Sequence, residues 1–259
     1  MANSSVKAIR RSHRLCRMLR RLSCAVVLIA SVAAHAGVTA ERTRVVFPGD
    51  ANETSLQVAN LNTYPVMVQT WIDDGALDST PDRAVAPIMP LPPVFKMLPS
   101  ERKTLRLVFT GDKLPTDRES LYWLNIYEIP PSDAGNALPL EQPRLVVTMH
   151  TQMKVFYRPK KLPLPPAQAA GKLRFSLAQV TEGSVVRVDN PSPYYVTLSD
   201  LELNKAGLKL AIKGDMVAPF SHLDLPLAAI PSPSTGAGSV RFMWIDDDGN
   251  PQEAQAPLP

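Results

Sequence analysis

Leu145, Val147 and Met149 stand at every second position, and the row runs on through Lys154 into Val155-Phe156-Tyr157-Arg158-Pro159. Apolar side chains at a period of two share one face of a strand, and a cation waits near the end of this one. The chemistry open to such a segment is recognition, in which a strand with a free apolar face is lent to another protein. An ordinary sandwich strand carries the same alternation, so periodicity alone leaves both readings open. Catalytic chemistry finds little to use. From Gly37 onward the only histidines are His150 and His222, and there is no cysteine, which argues against tetrahedral zinc. Asp246-Asp247-Asp248-Gly249-Asn250 resembles a calcium loop, but Pro251 stands where the turn glycine belongs and Pro257 where the last carboxylate belongs. It reads as an acidic turn after a strand, as does Asp73-Asp74-Gly75. No glycine-rich phosphate loop or nucleophile elbow occurs. His150 falls on the face opposite the Leu145/Val147/Met149 row and reads as an edge or inward histidine without catalytic duty. The chain is therefore expected to be no enzyme, with no cofactor and no metal.

The start of the chain reads as an export address. Lys7, Arg10, Arg11, Arg14, Arg17, Arg20 and Arg21 precede an apolar run over 22–34, and Ala34-His35-Ala36 supplies the small residues of a cleavage site. Residues 1–36 are expected to be a cleaved signal peptide, with the mature protein starting at Gly37. The run is shorter than the roughly 20 residues of a membrane-spanning helix, so no membrane insertion of the mature protein is expected. Cys24 is placed too early in the run, three residues after Arg21, to suggest a lipid anchor. Of 28 basic and 24 acidic side chains, the signal holds seven basic and no acidic ones; the rest carries 21 against 24, a net charge of −3. The alkaline balance leaves with the signal, and no basic domain remains for nucleic acid. Cys16 and Cys24 leave with it too, so the fold must rest on its apolar core.

The elements that position these residues are strands. Proline numbers 26 against 12 glycines, and short β-branched and aromatic runs are separated by turn residues at 43–47, 55–58, 66–72, 104–109, 121–129 and 145–156. A second set follows at 173–180, 184–188, 194–203, 208–212 and 239–245. Between them lies the proline-rich stretch 159–166, which reads as a stiff hinge. The cadence predicts two all-β sandwiches, at 37–159 and 160–259. The C-terminal stretch 252–259 is short and contains proline, so the last strand of the second sandwich is expected to be truncated.

Several of these segments, in order, resemble the periplasmic chaperones of the chaperone-usher pilus pathway. Thr43-Arg44-Val45-Val46-Phe47-Pro48 looks like the family's first strand, and Val68-Gln69-Thr70-Trp71-Ile72 like its third. Residues 114–125 (Leu-Pro-Thr-Asp-Arg-Glu-Ser-Leu-Tyr-Trp-Leu-Asn) with Ile129-Pro130-Pro131 are similar to its most distinctive signature. Lys154 to Pro159 closes the first domain, and Asn190-Pro191-Ser192-Pro193-Tyr194-Tyr195-Val196 marks the second. The resemblance implies two immunoglobulin-like β-sandwiches in an L with a cleft between them. It implies that pilus or fimbrial subunits, which lack a strand, are capped by donor-strand complementation in the periplasm and delivered to an outer-membrane usher. Leu145, Val147 and Met149 are then the donated row. Arg44 and Lys154 are implied to anchor the subunit's terminal carboxylate, with Arg42 as Arg44's rival. Strict alternation puts Lys154 on the face opposite Met149, which calls for a bulge, a twist, or a lysine pointing away from the donated row. Glu119, Arg158 and Asp247 match the family's interdomain ion network, with Asp246 or Asp248 as alternatives to Asp247.

The rival reading is a structural or adhesive β-sandwich fibre component, which would be one incomplete domain carrying its own alternating arm. A weaker rival is a secreted β-sandwich hydrolase. Whether the free protein hides its exposed strand in a self-capping dimer is left open.

Overall fold

The computed structural model describes residues 37–76, 79–111, 113–131, 148–181, 183–205, 207–227 and 238–259. The expected signal at 1–36, and Leu145 and Val147 of the alternating row, lie outside the described residues.

The all-β expectation is met. The first half runs β1 (Val38–Ala40), β2 (Arg44–Pro48), β3 (Glu53–Asn60), β4 (Val66–Asp73), β5 (Ile88–Leu91), β6 (Val94–Met97), β7 (Arg102–Phe109), β8 (Ser120–Ile129) and β9 (Met149–Arg158). The second runs β10 (Arg174–Val180), β11 (Gly183–Asn190), β12 (Val196–Lys205), β13 (Leu208–Lys213), β14 (Met216–Val217), β15 (Ser221–Pro226), β16 (Gly238–Ile245) and β17 (Pro251–Leu258). Period-two burial makes each layer one-sided. Leu56 and Val58 of β3 face inward between outward Ser55 and Gln57, and register sets Leu56 opposite Leu105 of β7. Across the core, β4 and β8 supply Val68, Ile72, Leu124 and Ile126.

The first sandwich stacks a four-stranded sheet, β1-β3-β7-β5, on a five-stranded sheet, β2-β9-β8-β4-β6. The opening segment serves both layers: β1 pairs antiparallel with β3, and after 41–43 the chain crosses to pair β2 parallel with β9. In the second sandwich, β10-β11-β15 faces β13-β12-β16-β17, with β14 also on β12. Its core, around Phe175, Val186, Leu203, Val240 and Phe242, is separate from that of the first. The proline-rich connection is anchored at both ends. Lys160 pairs with Asp50 at 2.7 Å, Leu162 and Leu164 pack on the second core, and Tyr194 donates its hydroxyl to Leu164 O at 2.6 Å.

The proline-containing segment 88–97, which is not among the strand runs read from the sequence, forms β5 and β6 around a cis Leu91–Pro92 bond. One reading needs correction, because proline was taken as a strand breaker. The C-terminal strand is not truncated: β17 pairs with β16 along its whole length, and its Leu258 is fully buried. In both cases the strands are the outermost of their sheets. An edge strand has a row of N–H groups that needs no partner, so a residue without one is accommodated.

Candidate functional site

β9 is the strand on which the site is built. On one side it pairs with β8 without a register break, from Glu128↔Met149 to Ser120↔Tyr157. On the other, β2 covers it only from Lys154 to Arg158. Residues 149–153 therefore present a backbone edge with no strand partner among the described residues. The inward row sinks along the strand, from Met149 at 48% exposure through Met153 at 3% to Val155 at 0%. The strand is half exposed where it begins and ends in the core of its sandwich.

The unbroken register decides where Lys154 points: there is no bulge, and the side chain leaves the face opposite Met149. On that outer face the overhanging part is tied down by polar groups. Asn125 of β8 accepts through Oδ1 from His150 Nε2 at 2.8 Å and from Gln152 Nε2 at 3.0 Å. Its Nδ2 donates to Asp73 Oδ2 at 2.6 Å, which also accepts from Trp71 Nε1 at 3.2 Å. Asp73 is thus a buried anchor as well as a turn residue, its Oδ1 accepting from Gly75 N at 2.8 Å. The His150 ring lies 5.4 Å from Trp71 and 5.8 Å from Tyr127. No role for Asn125 was read from the sequence, because a lone asparagine in a strand carries no periodic signal.

Arg44 and Lys154 are partners in the β2–β9 register. Arg44 is buried, donates Nη1 to Ile245 O at 3.2 Å, and leaves its Nε without a hydrogen-bond partner. Lys154 Nζ stands 5.6 Å from the Trp123 ring centre. Burial, and then the charge of Arg44, hold the Lys154 ammonium below the usual lysine range. Burial likewise lowers Arg44 against the pull of Asp247 and Asp246. Neither cation is salt-bridged to a carboxylate among the described residues; Asp246 and Asp247 act on Arg44, and Asp215 on Lys154, only at longer range. Arg44 also walls a cleft of about 260 Å³ with Phe156, Tyr194, Tyr195, Trp244 and Ile245, while Lys154 stands outside that wall. Arg42, the rival, is exposed and paired with Glu41 at 3.1 Å.

Glu119, Arg158 and Asp247 come together where the two sandwiches meet. Arg158 donates Nε to Glu119 Oε1 at 2.6 Å and forks onto Asp247 with bonds of 2.6 and 2.8 Å. Asp246 is occupied in its own turn, accepting from Asp248 N, Asn250 N and Gln252 Nε2. Burial would lower Arg158, but hydrogen bonds and charge from Asp247 and Glu119 outweigh it and hold the guanidinium above its usual range. Burial pushes the Glu119 carboxyl up, opposed by Arg158 and by the Tyr195 N–H, which donates to Oε2 at 2.8 Å. Further contacts were not read from the sequence: Arg158 over Tyr194 at 5.2 Å, Arg118 over Phe220 at 5.0 Å, and Gly249, where a Cβ would collide with Thr43 Oγ1.

Residues 37–163 match the family described as "Pili and flagellar-assembly chaperone, PapD N-terminal domain", and residues 168–256 match "Pili assembly chaperone PapD, C-terminal domain". The chain is 36% identical over 256 residues to the chaperone protein FimB/FhaD of Bordetella pertussis, covering 94% of this chain and 99% of that one. The CupB2 chaperone structure from Pseudomonas aeruginosa superposes with a TM-score of 0.69 at 35% identity, covering 85% of this chain and all of that one. A Salmonella enterica structure of the SafA pilin in complex with the SafB chaperone gives a TM-score of 0.64 at 28% identity, over 88% of this chain and 97% of that one.

Proposed function

The chain belongs to the PapD family of pili-assembly chaperones, and on that premise we propose that it caps pilus subunits by lending them β9 and delivers them to an outer-membrane usher. The observation that carries the reading is the strand edge at 149–153, which has no partner on one side among the described residues and is continuous with an apolar row that surfaces at Met149. A subunit that lacks a strand exposes an apolar groove and unpaired backbone groups, and would aggregate. Chaperone–pilin pairs are an established case of strand addition, in which the main chain supplies hydrogen bonds and alternate side chains fill the groove. Burial of Leu145, Val147 and Met149 would each contribute roughly 1.5 to 3 kcal/mol before ordering costs.

Arg44 and Lys154 would hold the subunit's terminal carboxylate. A buried arginine and a half-buried lysine, neither salt-bridged to a carboxylate among the described residues, gain charge-assisted bonds from such a ligand, and fixing one end of the added strand sets its register. Glu119, Arg158 and Asp247 would hold the domains, 37–159 and 160–259, at the angle that shapes the cleft. Residues 1–36 would direct export and be removed before Gly37, placing the protein in the periplasm; no described helix is long and apolar enough to cross a membrane. Capping makes and breaks no covalent bond, so no enzymatic step is assigned. The SafA–SafB complex is the precedent for capture of a pilin by a chaperone of this fold.

The test is periplasmic co-purification of the tagged protein with a co-expressed pilin subunit from its own locus, comparing wild type with Lys154→Ala. A one-to-one complex that disappears in the variant is expected. A protein that purifies alone in both cases, from cells in which the subunit is stable, would instead favour a structural fibre component.

A further inference from the structure

Glu128 is a buried carboxylate that the capping reading does not use. Only 4% exposed, it accepts from Val38 N through Oε2 at 2.8 Å and from Asn62 Nδ2 through Oε1 at 2.8 Å. No lysine, arginine or histidine among the described residues pairs with it, and each of its oxygens is engaged by a neutral donor. A charge buried without a counter-charge is costly, so an ion of opposite sign is the missing element. The group that fits stands at the start of β1. Gly37 N donates to Asn62 Oδ1 at 2.9 Å, and a Cβ on Gly37 would lie 3.5 Å from Glu128 Oε2. Asn62 is itself preset, its N and Nδ2 both donating to the fully buried Asn60 Oδ1 at 3.0 Å.

We infer that Glu128 and Asn62 form a receptor for the α-ammonium group that removal of residues 1–36 creates on Gly37. This rests on the processing boundary in the reading above. In the precursor Gly37 N is a neutral amide, and no cation among the described residues compensates Glu128. After cleavage the same nitrogen carries a positive charge beside the carboxylate and is held by Asn62 Oδ1, which Asn60 positions. Full stability then arrives only after export, which leaves the precursor easier to keep unfolded. Glu128 also lies opposite Met149 in the β8–β9 register, so the docked terminus packs at the root of the overhanging strand.

The experiment purifies two processed forms from the periplasm, one from the natural precursor and one from a precursor with Thr-Gln inserted after Ala36, each with Glu128 intact and with Glu128→Gln. Intact-mass spectrometry reads the first residue and thermal unfolding reads stability. With Gly37 as the first residue, Glu128→Gln is expected to lower Tm by roughly 5 to 10 °C, and by much less in the extended form. The extension alone, with Glu128 intact, is expected to lower Tm as well, which keeps the test decisive if Glu128→Gln fails to fold. An equal Tm for the two forms, or an equal effect of the substitution in both, overturns the ion pair. A mature chain that starts elsewhere overturns it by removing the boundary, and subunit capture, measured by co-purification, tells that failure apart from failure of the capping reading.

Discussion

Arg44 and Lys154 sit side by side on neighbouring strands, partly desolvated and with no salt bridge to a carboxylate among the described residues, and the repulsion of Lys154 by Arg44 is a cost the free protein carries. Replacing Lys154 by Met should therefore leave thermal unfolding of the free protein unchanged or raise it slightly, while subunit capture is lost; circular dichroism and co-purification read the two effects separately. A fall in Tm would mean that the lysine is a structural support. The pH dependence of capture has a definite sign. Lys154 titrates below the ordinary lysine range in the free protein, and a bound carboxylate would raise it again. Affinity is then constant below the free-state pKa and weakens above it, by up to about tenfold per pH unit, until the bound-state pKa is passed. The decline should begin below the value of about 10.4 for an unperturbed lysine, and Lys154→Arg should flatten it, as measured by titrating subunit binding against pH. For the free protein the unfolded chain binds the extra proton in that window, so its stability rises with pH through the same range.

β9 was legible in the sequence because alternation and a terminal cation survive without any tertiary information, and β2 because Arg44 sits in a β-branched run. What could not be read was how the overhang is held. The rail that joins Asp73, Asn125, His150 and Gln152 brings together β4, β8 and β9, which are far apart in the chain, and each member alone looks like an ordinary polar residue. Proline misled in the opposite direction at the C-terminus, where it argued for a truncated strand although the edge of the sheet tolerates it in β17. The rail predicts that Asn125→Ala, which frees His150 and Gln152 and strips one donor from buried Asp73, costs about 1 to 3 kcal/mol of stability. Amide exchange should accelerate at 149–153 more than at 154–158, where β2 still covers the strand. Subunit capture should weaken while Lys154 remains in place, and uniform acceleration along β9 would show that the rail does not act locally.

The two sandwiches keep separate cores, and the surfaces that meet between them were only partly legible in the sequence. Arg158, Glu119 and Asp247 could be matched to a motif, whereas Thr43 against Gly249 is a close approach of backbone and side chain that no spacing announces. The joint therefore rests on charge and on fit, and these can be separated. Arg158→Ala leaves Glu119, with a side chain 1% exposed, facing only the Tyr195 N–H, and breaking a buried pair of this kind costs about 3 to 5 kcal/mol, an upper bound here because Asp247 is 44% exposed. Calorimetry is then expected to show one transition for the wild type and two for the variant. Gly249→Ala tests fit without touching a charge: its φ of +88° disfavours a side chain, and the new Cβ meets Thr43 Oγ1. If the joint shapes the cleft, Gly249→Ala should weaken subunit capture with the ion network intact. Thr43→Ala in the same chain should restore part of the loss, because it removes the collision and leaves the backbone strain. Full capture by the Gly249→Ala protein would mean that the contact fills space without setting the angle between domains.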